Sequence, residues 1–306
     1  MLAEATHSCR SKNVCLSGGL DSTIAAYHMQ DVDSQAVAVI ASDFLATDLT
    51  YCQMAATSLS TPLDIKMASI SDIMDSIEET IRILGNFNDI EVRNSTVMHL
   101  AATHLKEMGI RRATTGDGAD ELFAGYNFMI KKDGQELEDE LERMRKIMHF
   151  PSQKIGEHVG VEFVSPYLDE RVVALSAEIP TNLKVNTRNG TRYGKWILRT
   201  SYEGKIPDAI LWRPKSPMQE GAGTALLTDL FSTLISNHTF EERRSQIYRV
   251  DGVKIRTKES LHYYDIFRRD SARPLELHDS KTTCPMCRYI IHPGSRFCRM
   301  CGTYPI

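Results

Sequence analysis

Asn13-Val14-Cys15-Leu16-Ser17-Gly18-Gly19-Leu20-Asp21-Ser22 is the stretch on which the fold turns. A brief apolar strand, Asn13 to Leu16, runs into a Ser-Gly-Gly turn, and Asp21 to Gln30 continues as a helix with apolar positions Ile24, Ala25 and Met29. A turn of this kind suits phosphate. Glycines let the backbone come close and aim its N–H groups inward, the Ser17 and Ser22 hydroxyls are donors, and the helix start adds partial positive charge. Asp21 is the exception, because a carboxylate beside phosphates repels them unless a divalent cation lies between, so it is read as a magnesium ligand. An isolated Gly-Gly pair would be no more than a tight turn; the reading rests on all six residues, Ser17 to Ser22, at a strand-to-helix junction. The GxxxxGK[ST] pattern is absent.

Outward from this loop the alternation continues. Gln35 to Ala41 reads as a buried strand, Thr47 to Leu59 as a helix, Leu63 to Met67 as a strand, and Ile70 to Leu84 and Ser95 to Met108 as helices, the last closed by Gly109. Arg111 to Thr115 is then a strand entering a second glycine turn. Parallel strands need crossover connections, so this order predicts an α/β fold, a parallel sheet flanked by helices, with ligands outside the carboxyl ends of the strands. Residues 133–149 are highly charged and read as a solvated helix. Val161 to about Ile235 reads as mainly helical, and 236–280 as a polar, irregular linker with a helix around Lys258 to Arg269. The predicted divisions are a main domain at 1–235 (sheet part 13–130, helical part 131–235), the segment 236–280, and a small module at 281–306.

Composition excludes some classes. The 306 residues are 42% hydrophobic and 25% charged, with a net charge of −4 that offers no global field for nucleic acid. Apolar runs such as Ala36 to Ala41 fall far short of the roughly 20 residues a bilayer-spanning helix needs, and no basic-then-apolar leader opens the chain. The reading is a soluble, cytoplasmic protein without a membrane partner. Cys9, Cys15 and Cys52 are scattered and read as small buried residues.

Thr115-Gly116-Asp117-Gly118-Ala119-Asp120-Glu121-Leu122-Phe123-Ala124-Gly125-Tyr126 sets three carboxylates within five positions, a costly concentration unless a metal or an ammonium offsets it, although acids also favour helix starts. This segment closely resembles the second signature of the asparagine synthetase synthetase-domain family. With Ser17 to Ser22 it makes the chain look like an N-type ATP pyrophosphatase. Ser165 to Val173 is similar to the family's Pro-Phe-Leu-Asp segment, Lys195-Trp196-Ile197-Leu198-Arg199 to its Lys-x-x-Leu-Arg, and Arg213-Pro214-Lys215 to its Arg-x-Lys. The ordered matches span residue 14 to about 217.

The resemblance implies an adenine nucleotide alpha hydrolase-like (HUP-type) sheet and attack of a carboxylate on the α-phosphorus of ATP, giving an acyl-adenylate that an amine then consumes. It implies that Ser17, Gly18, Gly19, Asp21, Ser22 and Gly116 hold the nucleotide, that Asp21 and Asp120 hold Mg2+, and that Lys195 and Lys215 contact the phosphates. Asp117 stands where members carry a carboxylate facing the amine, some of them glutamate, so the resemblance makes it the base. Between Lys184 and Lys215 eight basic residues stand against Glu203 and Asp208, an excess of six that suits a pyrophosphate leaving group or else a solvated basic face. Glutamine-dependent members carry an N-terminal amidotransferase domain. Here the loop begins at residue 17 and residue 2 is Leu2, so nitrogen is expected from free ammonia, a separate glutaminase partner, or an amine on the substrate, as in the related β-lactam synthetases; aspartate is the default carboxylate.

Cys284, Cys287, Cys298 and Cys301 form two CxxC pairs ten residues apart, a tetrahedral thiolate set suited to structural Zn2+. So short a module cannot bury a core alone, and metal would supply its folding energy. Lys281, Arg288, Arg296 and Arg299 offer a basic patch for RNA or an acidic protein. Two other readings stay open: a tRNA-modifying adenylating enzyme, favoured by the ribbon, and a non-catalytic nucleotide-binding scaffold, disfavoured by the intact acidic and lysine residues.

Overall fold

The computed structural model describes residues 1–30, 33–44, 46–215, 217–278, 282–291 and 295–306; Lys281 of the basic patch lies outside them. Strands β1 (Asn13–Cys15), β2 (Gln35–Ala41), β3 (Leu63–Ala68), β4 (Arg112–Thr114) and β5 (Glu162–Val164) form one sheet in the order β3-β2-β1-β4-β5, every neighbouring pair parallel. The α/β expectation holds. β2 shows why its sequence is apolar without alternation: Ala36 and Ala38 pack with Val14, Ile24 and Cys52, whereas Val37 packs on the opposite face with Met98, Leu105 and Ile155. The chain builds β1, β2 and β3 in one direction, then returns to place β4 on the other side of β1. Strand order therefore reverses between β1 and β4, and it is outside the carboxyl ends of such a pair that a crevice opens.

The helix Ile70–Leu84 has the bounds its pattern predicts, because its start is written locally: Ser69 Oγ accepts from the Asp72 N–H and Asp72 Oδ2 accepts from the Ser69 N–H at 2.8 Å. The helix expected from Ser95 begins six residues earlier, at Asp89, capped by Asn88. Its first turn carries Asp89 and Glu91, which suit a helix N-terminus but blur the apolar period. The span read as mainly helical contains β5 and a hairpin, β6 (Asn186–Arg188) with β7 (Thr191–Tyr193). A three-residue strand is too short to show a period. Cys52 is buried as expected, but Cys9 and Cys15 are only half-buried.

Residues 236–278 are less irregular than their polarity suggests. Helix Asn237–Asp251 is polar on almost every face and buries only Ile247, while helix Lys258–Asp270 buries Leu261, Tyr263, Tyr264, Ile266 and Phe267. These residues share one apolar cluster with Ile73, Ile77 and Ile81 of helix Ile70–Leu84 and with all four cysteines of the terminal module. Among the described residues no helix is long and apolar enough to cross a membrane.

Candidate active site

β1 delivers Ser17 to Ser22, and β4 delivers Thr115 to Asp120, to one cleft of about 540 Å³ at the reversal of strand order. That volume suits a small-molecule ligand, for which roughly 300–1,000 Å³ is usual. Ser17, Gly19, Asp21, Ser22, Gly116, Asp117, Asp120, Lys195 and Lys215 all line it. Gly18 is glycine for another reason: it has φ +71, and a Cβ there would lie 2.2 Å from the carbonyl carbon of Tyr51 in helix Asp48–Ser58. The first loop is shaped by its own hydroxyls, since Ser17 Oγ accepts from the Gly19 N–H at 3.2 Å and Ser22 Oγ from the Ser17 N–H at 3.3 Å.

Ammonium groups tie the two loops together. Lys195 Nζ lies 2.5 Å from Asp21 Oδ2 and 2.7 Å from Asp120 Oδ1, and Lys215 Nζ donates to Asp120 Oδ2 at 2.7 Å. Lys195 reaches this point from φ +56, a left-handed conformation that costs a residue with a side chain about 1–3 kcal/mol, and its N–H donates to Phe123 O at 2.8 Å. Gly125 makes room for the pair: a Cβ there would sit 1.9 Å from Asp120 Oδ1 and 2.3 Å from Lys195 Cε. Among the described residues, Asp21 Oδ1 is buried without a hydrogen-bond partner. A carboxylate oxygen left over beside a second carboxylate is the oxygen-rich donor set a hard divalent cation takes, so Asp21 and Asp120 fit magnesium.

Three residues apart, Asp117 and Asp120 have opposite electrostatics. Burial alone would push both pKa values up. For Asp120 the ammonium groups of Lys195 and Lys215 outweigh burial and hold the carboxyl well below the usual range. For Asp117 burial wins, helped by the negative charges of Asp120 and Asp21, and the pKa is raised although Ser152 Oγ donates to Asp117 Oδ2 at 2.6 Å. The third carboxylate, Glu121, accepts from the Tyr126 hydroxyl, and burial raises its pKa as well.

Only part of the basic segment faces the cleft. Lys195, Arg199, Arg213 and Lys215 line it. Arg188 pairs with Glu203 and Arg192 with Asp133, so an excess of six overstates the local field. Arg199 is committed to backbone carbonyls, among them Gly194 O at 2.9 Å and Arg213 O at 3.2 Å, and so anchors the turn that carries Lys215. Arg213 pairs at 2.8 Å with Asp48, whose pKa burial raises, and lies 3.7 Å from the centre of the Tyr51 ring.

The family model for asparagine synthase matches residues 2–153 and 134–256. The chain belongs to the asparagine synthase family. It is 27% identical to the asparagine synthetase [glutamine-hydrolyzing] of Zea mays over 283 residues, covering 85% of this chain and 48% of that protein. Against asparagine synthetase B [glutamine-hydrolyzing] of Escherichia coli K12 it is 27% identical over 277 residues, covering 83% and 49% respectively. The chain thus spans about half the length of the curated relatives it matches.

Outside the matched residues, this asparagine synthase family member brings Cys284, Cys287, Cys298 and Cys301 together, all buried, with their Sγ atoms within 4.8 Å of one another. Cys284 and Cys301 are 3.8 Å apart and Cys287 and Cys298 3.5 Å. A tetrahedral zinc with bonds of about 2.3 Å sets its sulfurs about 3.8 Å apart, so the four thiols fit that ion. Several cleft residues carry no signal in the sequence. Ser152 is the second residue of the helix Pro151–Val159, Asp48 begins the helix Asp48–Ser58, and Glu91 lies in the first turn of helix Asp89–Glu107, all ordinary helix-start residues. Phe297 and Arg299 of the terminal module also line the cleft. A basic CxxC knuckle suggests a surface patch, not a cleft wall.

Proposed function

We infer that this chain is an ATP-dependent amide-forming ligase. The reading rests chiefly on the two loops meeting at Lys195, with a charge-paired Asp120 and a proton-seeking Asp117 three residues apart. In this mechanism the backbone and hydroxyls of Ser17 to Ser22 and the Gly116 turn cradle the phosphates of ATP, with Asp21 and Asp120 holding Mg2+. That ion neutralises phosphate charge. Lys195 and Lys215 turn from their aspartates toward the phosphate oxygens and stabilise charge on the departing pyrophosphate. The acceptor carboxylate attacks the α-phosphorus and expels pyrophosphate; ammonia or an amine then attacks the acyl carbon, AMP leaves, and Asp117 takes the proton. Ser152 keeps that carboxylate aimed.

The relatives' printed names are those of glutamine-hydrolysing asparagine synthetases, which makes aspartate the first acceptor to try and a separate glutaminase the first partner for nitrogen delivery. The cysteine module is assigned a structural zinc, because four thiolates leave no open coordination position. The test is pyrophosphate release from MgATP with aspartate plus ammonia, run beside bulk tRNA. Turnover with the amino acid supports the ligase; stimulation by tRNA alone overturns it in favour of an RNA-modifying adenylating enzyme.

A further inference from the structure

The cleft is longer than the nucleotide loops. Besides Asp117 and Ser152 its lining includes His149 and Phe150, Glu91 and Asn94 on helix Asp89–Glu107, and Phe297 and Arg299. These last two belong to the cysteine module: Arg299 stands between Cys298 and Cys301, inside the second knuckle, and Phe297 immediately precedes it. The module reaches this wall through specific bonds. Phe87 N–H donates to Met300 O at 3.0 Å, Arg256 Nη2 to Cys301 O at 2.8 Å, and Arg299 Nη2 to Ile147 O at 2.8 Å, just ahead of His149. Met300 and the four cysteines are buried in the same cluster as Phe87 and Tyr264.

The chemistry of this end is two-signed. Glu91 supplies a carboxylate, held by the Asn86 amide at 3.0 Å, and Asn94 Oδ1 is buried without a hydrogen-bond partner among the described residues. Both are acceptors, suited to an ammonium group. Opposite in charge, the exposed Arg299 has its Nη2 tethered to Ile147, leaving other N–H donors for a carboxylate. We propose that the metal-closed cysteine module is the acceptor wall of the cleft, where Arg299 takes the α-carboxylate of a free amino acid whose ammonium faces Glu91 and Asn94. This inference rests on the ligase reading and deepens it: the substrate is a zwitterion, and the module is a specificity element. It also gives the four thiols a role in turnover, since the metal would fix the knuckle that holds Arg299 against Ile147 O.

The test uses the full chain as purified with its zinc, and measures pyrophosphate release with MgATP, ammonia and each free amino acid in turn. The best amino acid is then compared with its α-carboxamide. Arg299→Ala should raise KM for the free acid about tenfold or more, the loss of one charge-assisted contact, while KM for MgATP moves less than about twofold and the carboxamide is handled as by wild type. Arg299→Lys should recover part of the loss. Cys298→Ser should shed the zinc, read by elemental analysis, speed amide hydrogen exchange at residues 147–152, and raise the acceptor KM like Arg299→Ala. A zinc-loaded Arg299→Ala protein with unchanged acceptor KM overturns the inference alone, as does zinc loss that leaves both exchange and KM unchanged. A wild-type protein that releases pyrophosphate with no amino acid overturns the ligase reading and this inference with it.

Discussion

The two ends of the cleft handle charge in different ways. At the end formed by the two glycine loops, the half-buried Asp21 and Asp120 lie against Lys195 and Lys215, so the charges are compensated inside the protein. At the far end, burial raises the pKa of Glu91 while the charges of Arg299 and Lys154 oppose it; Glu91 accepts from the Asn86 amide and lies 3.9 Å from His149 Nε2, and Arg299 is tethered to Ile147 O. Asp117 has no ion-pair partner among the described residues, and burial raises its pKa. The contrast teaches that removing a charge should act with opposite sign on stability depending on where along the cleft it is removed.

The largest effect is expected at the compensated end. Lys195→Met removes a buried ammonium and leaves two half-buried carboxylates without their shared cation, and should cost about 3–5 kcal/mol of stability in denaturant titration together with at least about a hundredfold in pyrophosphate release. Lys215→Ala should cost a comparable factor in rate, and a normal rate would dismiss the basic segment as machinery. Next comes Asp117→Asn. It should lower the rate of amide formation about 10²–10⁴-fold yet leave the protein at least as stable as wild type near neutral pH. The sign follows from linkage: a raised folded-state pKa stabilises the fold below the unfolded pKa, and that contribution is lost as pH rises through the folded value, so a neutral amide removes a penalty. Asp120→Asn should do the reverse, because a depressed pKa contributes stability above the unfolded value that disappears on acidification. Equal stability changes for the two variants would end the comparison.

Smaller is the effect of Ser152→Ala. Its hydroxyl favours the Asp117 carboxylate, so its loss should push that pKa further up and move the acid limb of the pH–rate profile to higher pH, read in kcat. Smallest is Arg192→Ala. Its pair with Asp133 is exposed and away from the cleft, and pyrophosphate release should stay within about twofold of wild type.

How far this was legible in the sequence depends on distance along the chain. The strand–loop–helix at Asn13 to Tyr27 and the capped helix Ile70–Leu84 are written by neighbours, so pattern and caps predict them. The second loop is read from its acids, but their separate fates are not: Asp120 meets a lysine 75 positions later, and Asp117 a serine 35 positions later. β5 and the polar helix Asn237–Asp251 lack an apolar period, one being too short and the other too wet. The cysteine spacing announces a metal site, but nothing local says that the knuckle between Cys298 and Cys301 lies against helix Asp89–Glu107.

That last placement has a consequence for synthesis on the ribosome. Both glycine loops have emerged by residue 125 and β5 completes the sheet at Val164, but the wall containing Phe297 and Arg299 exists only after the knuckle between Cys298 and Cys301 is made. A nascent chain therefore exposes an open-ended groove next to its two glycine loops until the Cys298–Cys301 knuckle, more than a hundred residues after the sheet, has closed the wall.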